Sequence, residues 1–131
     1  MKFDITCIIP SSQTEGQLAA FAENVPANVG PPLHAHRSQI EIFHVIEGSF
    51  LFVCDGQETT LGPGGSIVIP AKAAHAFKNV GSETGRIHFE LLAAGTSEEF
   101  FKRLVEEAAS IEDIPSFFAQ YDIDLLGPPL P

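Results

Sequence analysis

The sequence predicts an all-β domain, a closed or double-sheet β architecture with a short helical appendage at its C-terminal end. Three observations carry this. Short β-branched and aromatic runs recur at near-regular intervals up to residue 92, each stopped by Gly, Pro or Asp-Gly. Eleven Phe, ten Pro and eleven Gly suit short strands joined by tight turns, and without Trp the phenylalanines must fill the core. A helical period enters only after Gly95.

The elements follow in order. Residues 1–16 read as a brief strand and a polar turn, Ser11-Ser12-Gln13-Thr14-Glu15-Gly16. A strand is expected over Gln17–Glu23, and prolines at 26, 31 and 32 cannot continue it because they lack ladder donors. Ile40–Ile46 is β-branched and aromatic throughout, with a turn at Glu47-Gly48; Ser49–Cys54 is a second such run, closed by the hairpin dipeptide Asp55-Gly56. Thr59–Leu61, Ser66–Ile69 (stopped by Pro70), His75–Asn79 and Gly85–Leu92 complete the strands. In the tail, Thr96-x-x-Glu99 has the form of a capping box, and Phe101, Leu104, Val105 and Ala108 share one helical face. A second helix is expected over Glu112–Tyr121 with Pro115 in its first turn, then an extended arm over Leu125–Pro131. The division is therefore a barrel over residues 1–95 and a helical segment and tail over 96–131, within one domain.

The chain has 131 residues, enough for one core and too few for two ordinary domains. A net charge of −10 with only seven Lys and Arg argues against nucleic acid, which is bound largely through cations on phosphates, and against an anionic membrane surface. Cys7 and Cys54 match no metal or redox spacing and read as two buried free thiols. No apolar run has the length of a membrane span, and the N-terminal run makes a poor signal peptide, so the cytoplasm is expected.

The chemistry lies in two pieces: His34-x-His36-x4-Glu41-x6-Gly48, and Gly64-x5-Pro70-x4-His75-x3-Asn79. Residues two apart in an extended chain point the same way, so His34 and His36 project together and can close on one ion. Glu41 stands an odd number of positions from His36, so a turn or bulge at Arg37-Ser38-Gln39 must reset the face. Past that bend Glu41, Phe43 and Val45 share a face. A carboxylate in such an apolar strand is costly unless its charge is compensated, and a metal ion does that directly. His75 follows a Pro-bounded turn with Phe77 on its face, and Asn79 can brace a turn with its amide. Three imidazoles and one carboxylate result.

These two pieces resemble the paired motifs of the cupin superfamily, over about Gly16 to Leu92. The resemblance implies a double-stranded β-helix, or jelly-roll barrel, with one divalent transition metal on His34, His36, Glu41 and His75. Two positions depart from the family pattern: Asn28 where a glycine often stands, with Gly30 expected to do its job, and Lys72 where another is common. The Glu98-Glu99-Phe100-Phe101 segment is similar to the tail of small single-domain cupins related to bacterial quercetin dioxygenases.

Imidazole ligands suit Fe, Ni, Cu or Zn, and the carboxylate also admits Mn. The function the resemblance implies is a metal-dependent enzyme on a small, fairly apolar organic molecule, of the quercetinase-like dioxygenase kind, with Glu41 as base toward a substrate hydroxyl. The alternatives are a redox-neutral isomerase, cyclase or lyase, and a non-catalytic small-molecule binder. Phe43, Phe77 and His88 are the candidate substrate-pocket residues, His88 if its strand face turns inward, while His44 faces away from Glu41. Both faces of Ile40–Ile46 are apolar, so a second copy in a homodimer or the C-terminal helices must cover the outer one.

Overall fold

A computed structural model gives the architecture and describes residues 2–131. Ten strands form two five-stranded antiparallel sheets. In chain order they are β1 (Asp4–Ile9), β2 (Leu18–Val25), β3 (Pro32–His36), β4 (Ile40–Glu47), β5 (Phe50–Cys54), β6 (Gln57–Leu61), β7 (Ser66–Ile69), β8 (His75–Asn79) and β9 (Gly85–Leu92). Helices α1 (Ser97–Glu107) and α2 (Ile114–Ala119) follow, then β10 (Ile123–Pro129). The first sheet runs β1-β2-β9-β4-β7 and the second β10-β3-β8-β5-β6. This is the double-stranded β-helix with its short helical appendage. Among the described residues no helix is long and apolar enough to cross a membrane.

Alternation sets the core. Along β9 Gly85, Ile87, Phe89 and Leu91 are buried while the residues between them are half-buried. Ala19, Phe21 and Val25 on β2 and Phe43 and Val45 on β4 meet Phe50, Phe52 and Phe77 of the opposite sheet. The rings contact one another at angles of 44–62° for Phe43 with Phe77, Phe89 and Phe52. Such tilted aromatic packing fills the space between sheets without Trp.

Three local readings are revised, the first being that Cys7 is exposed and Cys54 half-buried instead of both being buried. Thr96 makes no side-chain cap; the Glu98 carboxylate instead accepts the Ser11 backbone N–H at 2.7 Å, joining α1 to the turn after β1. Asp113 does cap α2, accepting the Ser116 N–H at 3.0 Å, with Pro115 in the first turn as expected. The arm over 125–131 is largely a strand. β10 pairs with β3, and its register slips on either side of Gly127, so a proline-containing edge segment remains extended and bonded.

The two departures from the glycine pattern keep the glycine-like backbone. Asn28 has φ 65° and Lys72 has φ 72°, both left-handed, so Asn28 makes its own turn and Gly30 serves another end. A Cβ on Gly30 would lie 1.8 Å from the Phe77 carbonyl oxygen, which demands glycine for close approach of the two chains. Asn79 braces this end of the barrel, donating to the Val25 and Glu83 carbonyls at 2.9 Å each and accepting the Gly81 N–H at 2.9 Å.

Candidate metal centre

His34 and His36 come from β3 and His75 from β8, neighbouring strands of the second sheet in which His34 and His75 are direct partners. Glu41 comes from β4 in the first sheet. The bend at Arg37-Ser38 does more than reset a face, because it carries the chain from one sheet to the other. It is held at both sides: Arg37 donates to Asp124 Oδ1 at 2.7 and 3.0 Å, and the Gln39 amide donates to the Ala93 and Ala94 carbonyls at 2.6 and 2.9 Å.

One ligand atom from each of His34, His36, Glu41 and His75 lies within 4.8 Å of the others. His36, Glu41 and His75 are 4%, 3% and 2% exposed. His34 is half-buried. Their hydrogen bonds show what they are prepared for. His34 Nδ1 lies 2.7 Å from the Pro32 carbonyl and His75 Nδ1 3.0 Å from the Ala73 carbonyl. A carbonyl only accepts, so each Nδ1 carries a hydrogen; a neutral ring then has its lone pair on Nε2, and His75 Nε2 can hydrogen-bond the Glu41 carboxylate only as a protonated donor.

Glu41 Oε1 then receives two ring nitrogens, His75 Nε2 at 3.1 Å and His36 Nε2 at 3.2 Å. The His36 contact lacks hydrogen-bond geometry, so both His36 ring nitrogens are buried without a partner. Lone pairs of two neutral imidazoles against a carboxylate repel unless a cation, a proton or a metal ion, lies among them. Burial would raise the Glu41 carboxyl, but the facing His36 and His75 imidazoles outweigh it and hold it well below the usual carboxylate range. Burial and the charges of His75 and His36 push His34 down to about 3. For His75 burial lowers and the Glu41 carboxylate raises, and the carboxylate wins. An ionised carboxylate, orphan buried nitrogens and tautomers fixed by backbone carbonyls fit a divalent cation with nitrogen and oxygen donors.

The group opens onto a cavity walled chiefly by apolar side chains, among them Phe43, Phe77, Phe89, Phe100, Phe101 and Phe118. Phe43 and Phe77 thus line the cavity beside the histidines. His88 does not. It belongs to the outward set of β9, opposite His44 across the sheet, because the inward set is Ile87, Phe89 and Leu91. His44 also lies on that outer face, held by Ser66 Oγ at 2.8 Å and Glu90 Oε1 at 2.7 Å.

Two contributions escape the sequence reading. Helices α1 and α2 bring Phe100, Phe101, Leu104 and Phe118 over the cavity, and the two halves of this wall lie far apart in sequence. Glu23 of β2 also lines it. The available signal for Glu23 was alternation, since it shares parity with Ala19, Phe21 and Val25.

Comparison with known proteins agrees with this geometry. Residues 21–92, more than half of the chain, match the family model described as Cupin domain. The chain is 28% identical over 97 residues to quercetin 2,3-dioxygenase of Bacillus subtilis, covering 74% of this chain but only 28% of that enzyme. Among solved structures, one described as a predicted oxalate decarboxylase from Thermotoga maritima superposes with TM-score 0.66 at 14% identity, covering 70% of this chain and 80% of that one. The Cnp3 cupin domain of Schizosaccharomyces pombe gives TM-score 0.63 at 18% identity, covering 88% and 79%. At such identities the structural matches speak for the fold alone.

Proposed function

The chain belongs to the cupin family, and on that premise we propose that it is a metal-dependent enzyme acting on a small, largely apolar organic molecule, a dioxygenase of the quercetinase kind. The observation that carries the metal is His36, buried with both ring nitrogens unpartnered beside a Glu41 carboxylate held ionised. The similarity to quercetin 2,3-dioxygenase supports the reaction class.

In this reading His34, His36, Glu41 and His75 hold one divalent ion, Fe, Ni, Mn, Cu or Zn. When bound, the ion supplies a Lewis-acid centre and, where redox-active, a path for electrons between substrate and dioxygen. The chain does the rest. Phe43, Phe77, Phe89 and the helix-borne Phe100 and Phe118 take an aromatic substrate out of water and orient it by ring packing. Glu41 accepts the proton of a substrate hydroxyl. The Pro32 and Ala73 carbonyls fix the histidine tautomers throughout.

The working unit in this reading is a cytoplasmic homodimer that handles a small molecule and no nucleic acid or membrane. Helices α1 and α2 wall the cavity and leave the outer face of β4 and β7 bare, with Ile40 41% and Val68 57% exposed. That face carries His44, Arg86, His88 and Glu90, a nearly balanced set in a chain of net charge −10, so two copies meet there without strong repulsion.

The test is elemental analysis of protein purified without chelator or affinity tag, followed by oxygen uptake with a flavonol panel. About one metal per chain and substrate-dependent uptake support the reading. Stoichiometric metal without uptake, for every redox-active ion loaded, moves it to a redox-neutral isomerase, cyclase or lyase. No metal even after reconstitution overturns it and leaves a small-molecule binder.

A further inference from the structure

We propose that Glu23 is a second working carboxyl of this cavity, a hydrogen-bond donor that selects ligands bearing an acceptor oxygen at the end remote from the metal. This rests on the metal-cavity reading above and adds the polar contact that would set the ligand's orientation.

The placement is set by register. On β2 the inward positions are Ala19, Phe21, Glu23 and Val25, and the three apolar members are buried in the core. Across the first sheet, Ala19 pairs with Leu91, which pairs with Glu41, whereas Glu23 pairs with Ile87, which pairs with Val45. Glu23 therefore stands two inward positions along the sheet from the level of Glu41, and it is not a member of the four-residue ligand group. Both carboxyls nevertheless line the same cavity, with Phe43 and Phe89 at the level between them.

A carboxyl at an inward position among phenylalanines is costly unless paired, and the usual remedies are missing. Among the described residues no Lys, Arg or His lies within ion-pair distance of Glu23; the side chain is half-buried and its carboxyl is open to the cavity. A core role would be served better by the Val, Ile or Phe found at every neighbouring inward site. Burial, reinforced by the charges of Glu41 and Asp4, pushes the carboxyl up to about 8, and burial, the larger cause, does not depend on what the histidines hold. A neutral carboxyl has one O–H to give, and in this half-buried position water takes it until a bound ligand with an acceptor oxygen displaces that water. The cavity thus offers a cation-binding group at one end, aromatic walls between, and a single donor at the other. That suits a small flat molecule with oxygen functions at two ends, and disfavours one whose far end is hydrocarbon or cationic.

The experiment uses the full chain loaded with nickel, with Glu23→Gln and Glu23→Leu beside it and quercetin as the probe. Metal content should be the same in all three, since Glu23 is outside the ligand group. Infrared difference spectra near neutral pH should show the carbonyl stretch of a neutral carboxyl in the wild type, absent from Glu23→Gln and shifted to lower frequency when quercetin binds. Glu23→Gln keeps an N–H donor and should bind quercetin within about threefold of wild type, whereas Glu23→Leu should bind about tenfold more weakly. Wild type without the neutral-carboxyl band, or Glu23→Leu binding as tightly as wild type, overturns the assignment. A wild type that takes up no nickel overturns the metal reading instead, and the infrared band still decides whether Glu23 carries the proton.

Discussion

Replacing His36 with leucine separates a metal ligand from a packing residue, because the two roles predict opposite changes in stability. His36 is 4% exposed, and its Nδ1 meets no donor or acceptor. A buried polar group without a partner costs about 1–3 kcal/mol. Nε2 faces Glu41 Oε1 at 3.2 Å without hydrogen-bond geometry, and only its protonated form attracts the carboxylate and offsets part of that cost. Leucine has similar volume and no polar atom, so the metal-free His36→Leu protein should gain about 1–2 kcal/mol, or about 4–8 °C in Tm for a domain of this size. Metal reverses the order. At a free concentration 100 times its Kd, an ion that binds only the folded state adds about 2.7 kcal/mol to the wild type, on the order of 10 °C, and little to a variant that has lost a ligand. Thermal melts followed by circular dichroism, with chelator and then with excess nickel or manganese, should therefore cross: the variant higher without metal, the wild type higher with it. A variant that melts below the wild type in chelator, with both proteins shifted equally by metal, would show that the His36 nitrogens serve packing and would refute the argument.

Other perturbations probe neighbouring parts of the same construction. His34 is held at about 3 in the metal-free fold, below its unfolded value of 6.5, so protons bind the unfolded chain first and stability is lost as pH falls below 6.5. From pH 7.5 to 5 the chelated wild type should lose about 2 kcal/mol more than His34→Gln in urea titrations, and equal losses would contradict the depressed value. Deleting residues 123–131 removes β10, the strand bonded to His34 and His36 on β3, and should weaken metal binding at least tenfold by chelator competition even where the barrel remains folded. Unchanged affinity would mean that β3 holds its histidines alone. On the outer face, Val68→Glu should convert a dimer to a monomer in light scattering without changing metal content, and a persistent dimer would move the interface elsewhere.

The sequence made the barrel legible because its strands are short, strongly β-prone and stopped by Gly, Pro or Asp-Gly. The cluster of His34, His36, Glu41 and His75 was legible for a different reason: spacing and parity are local quantities. His34 and His36 share a face by alternation, and the reset before Glu41 follows from an odd count. Parity also explains the misplacement of His88. Alternation says that His88 and Glu90 point one way and Ile87 and Phe89 the other, and the buried set is the apolar one, as the cost of desolvating polar groups requires. That asymmetry, applied consistently along β9, places His88 outside; the same rule applied to β2 exposes Glu23 as the exception.

What spacing cannot supply is the closure between distant segments. The helical tail looked like an appendage because its residues are far in sequence from the histidines, yet Phe100, Phe101, Leu104 and Phe118 wall the cavity and β10 pairs with the strand that carries His34 and His36. The stability of the tail and the performance of the site are therefore joined. Phe100, Phe117, Phe118, Tyr121 and Ile123 form their own buried cluster, and disrupting it should loosen the cavity wall and the β3 edge together. A barrel with its histidines intact but its tail unseated would retain donors for a metal while admitting water to the aromatic side of the cavity. The cavity that Glu23 shares with the histidines is thus walled in part by aromatic side chains brought from the far end of the chain, and the half-buried Glu23 meets as much water as that wall admits.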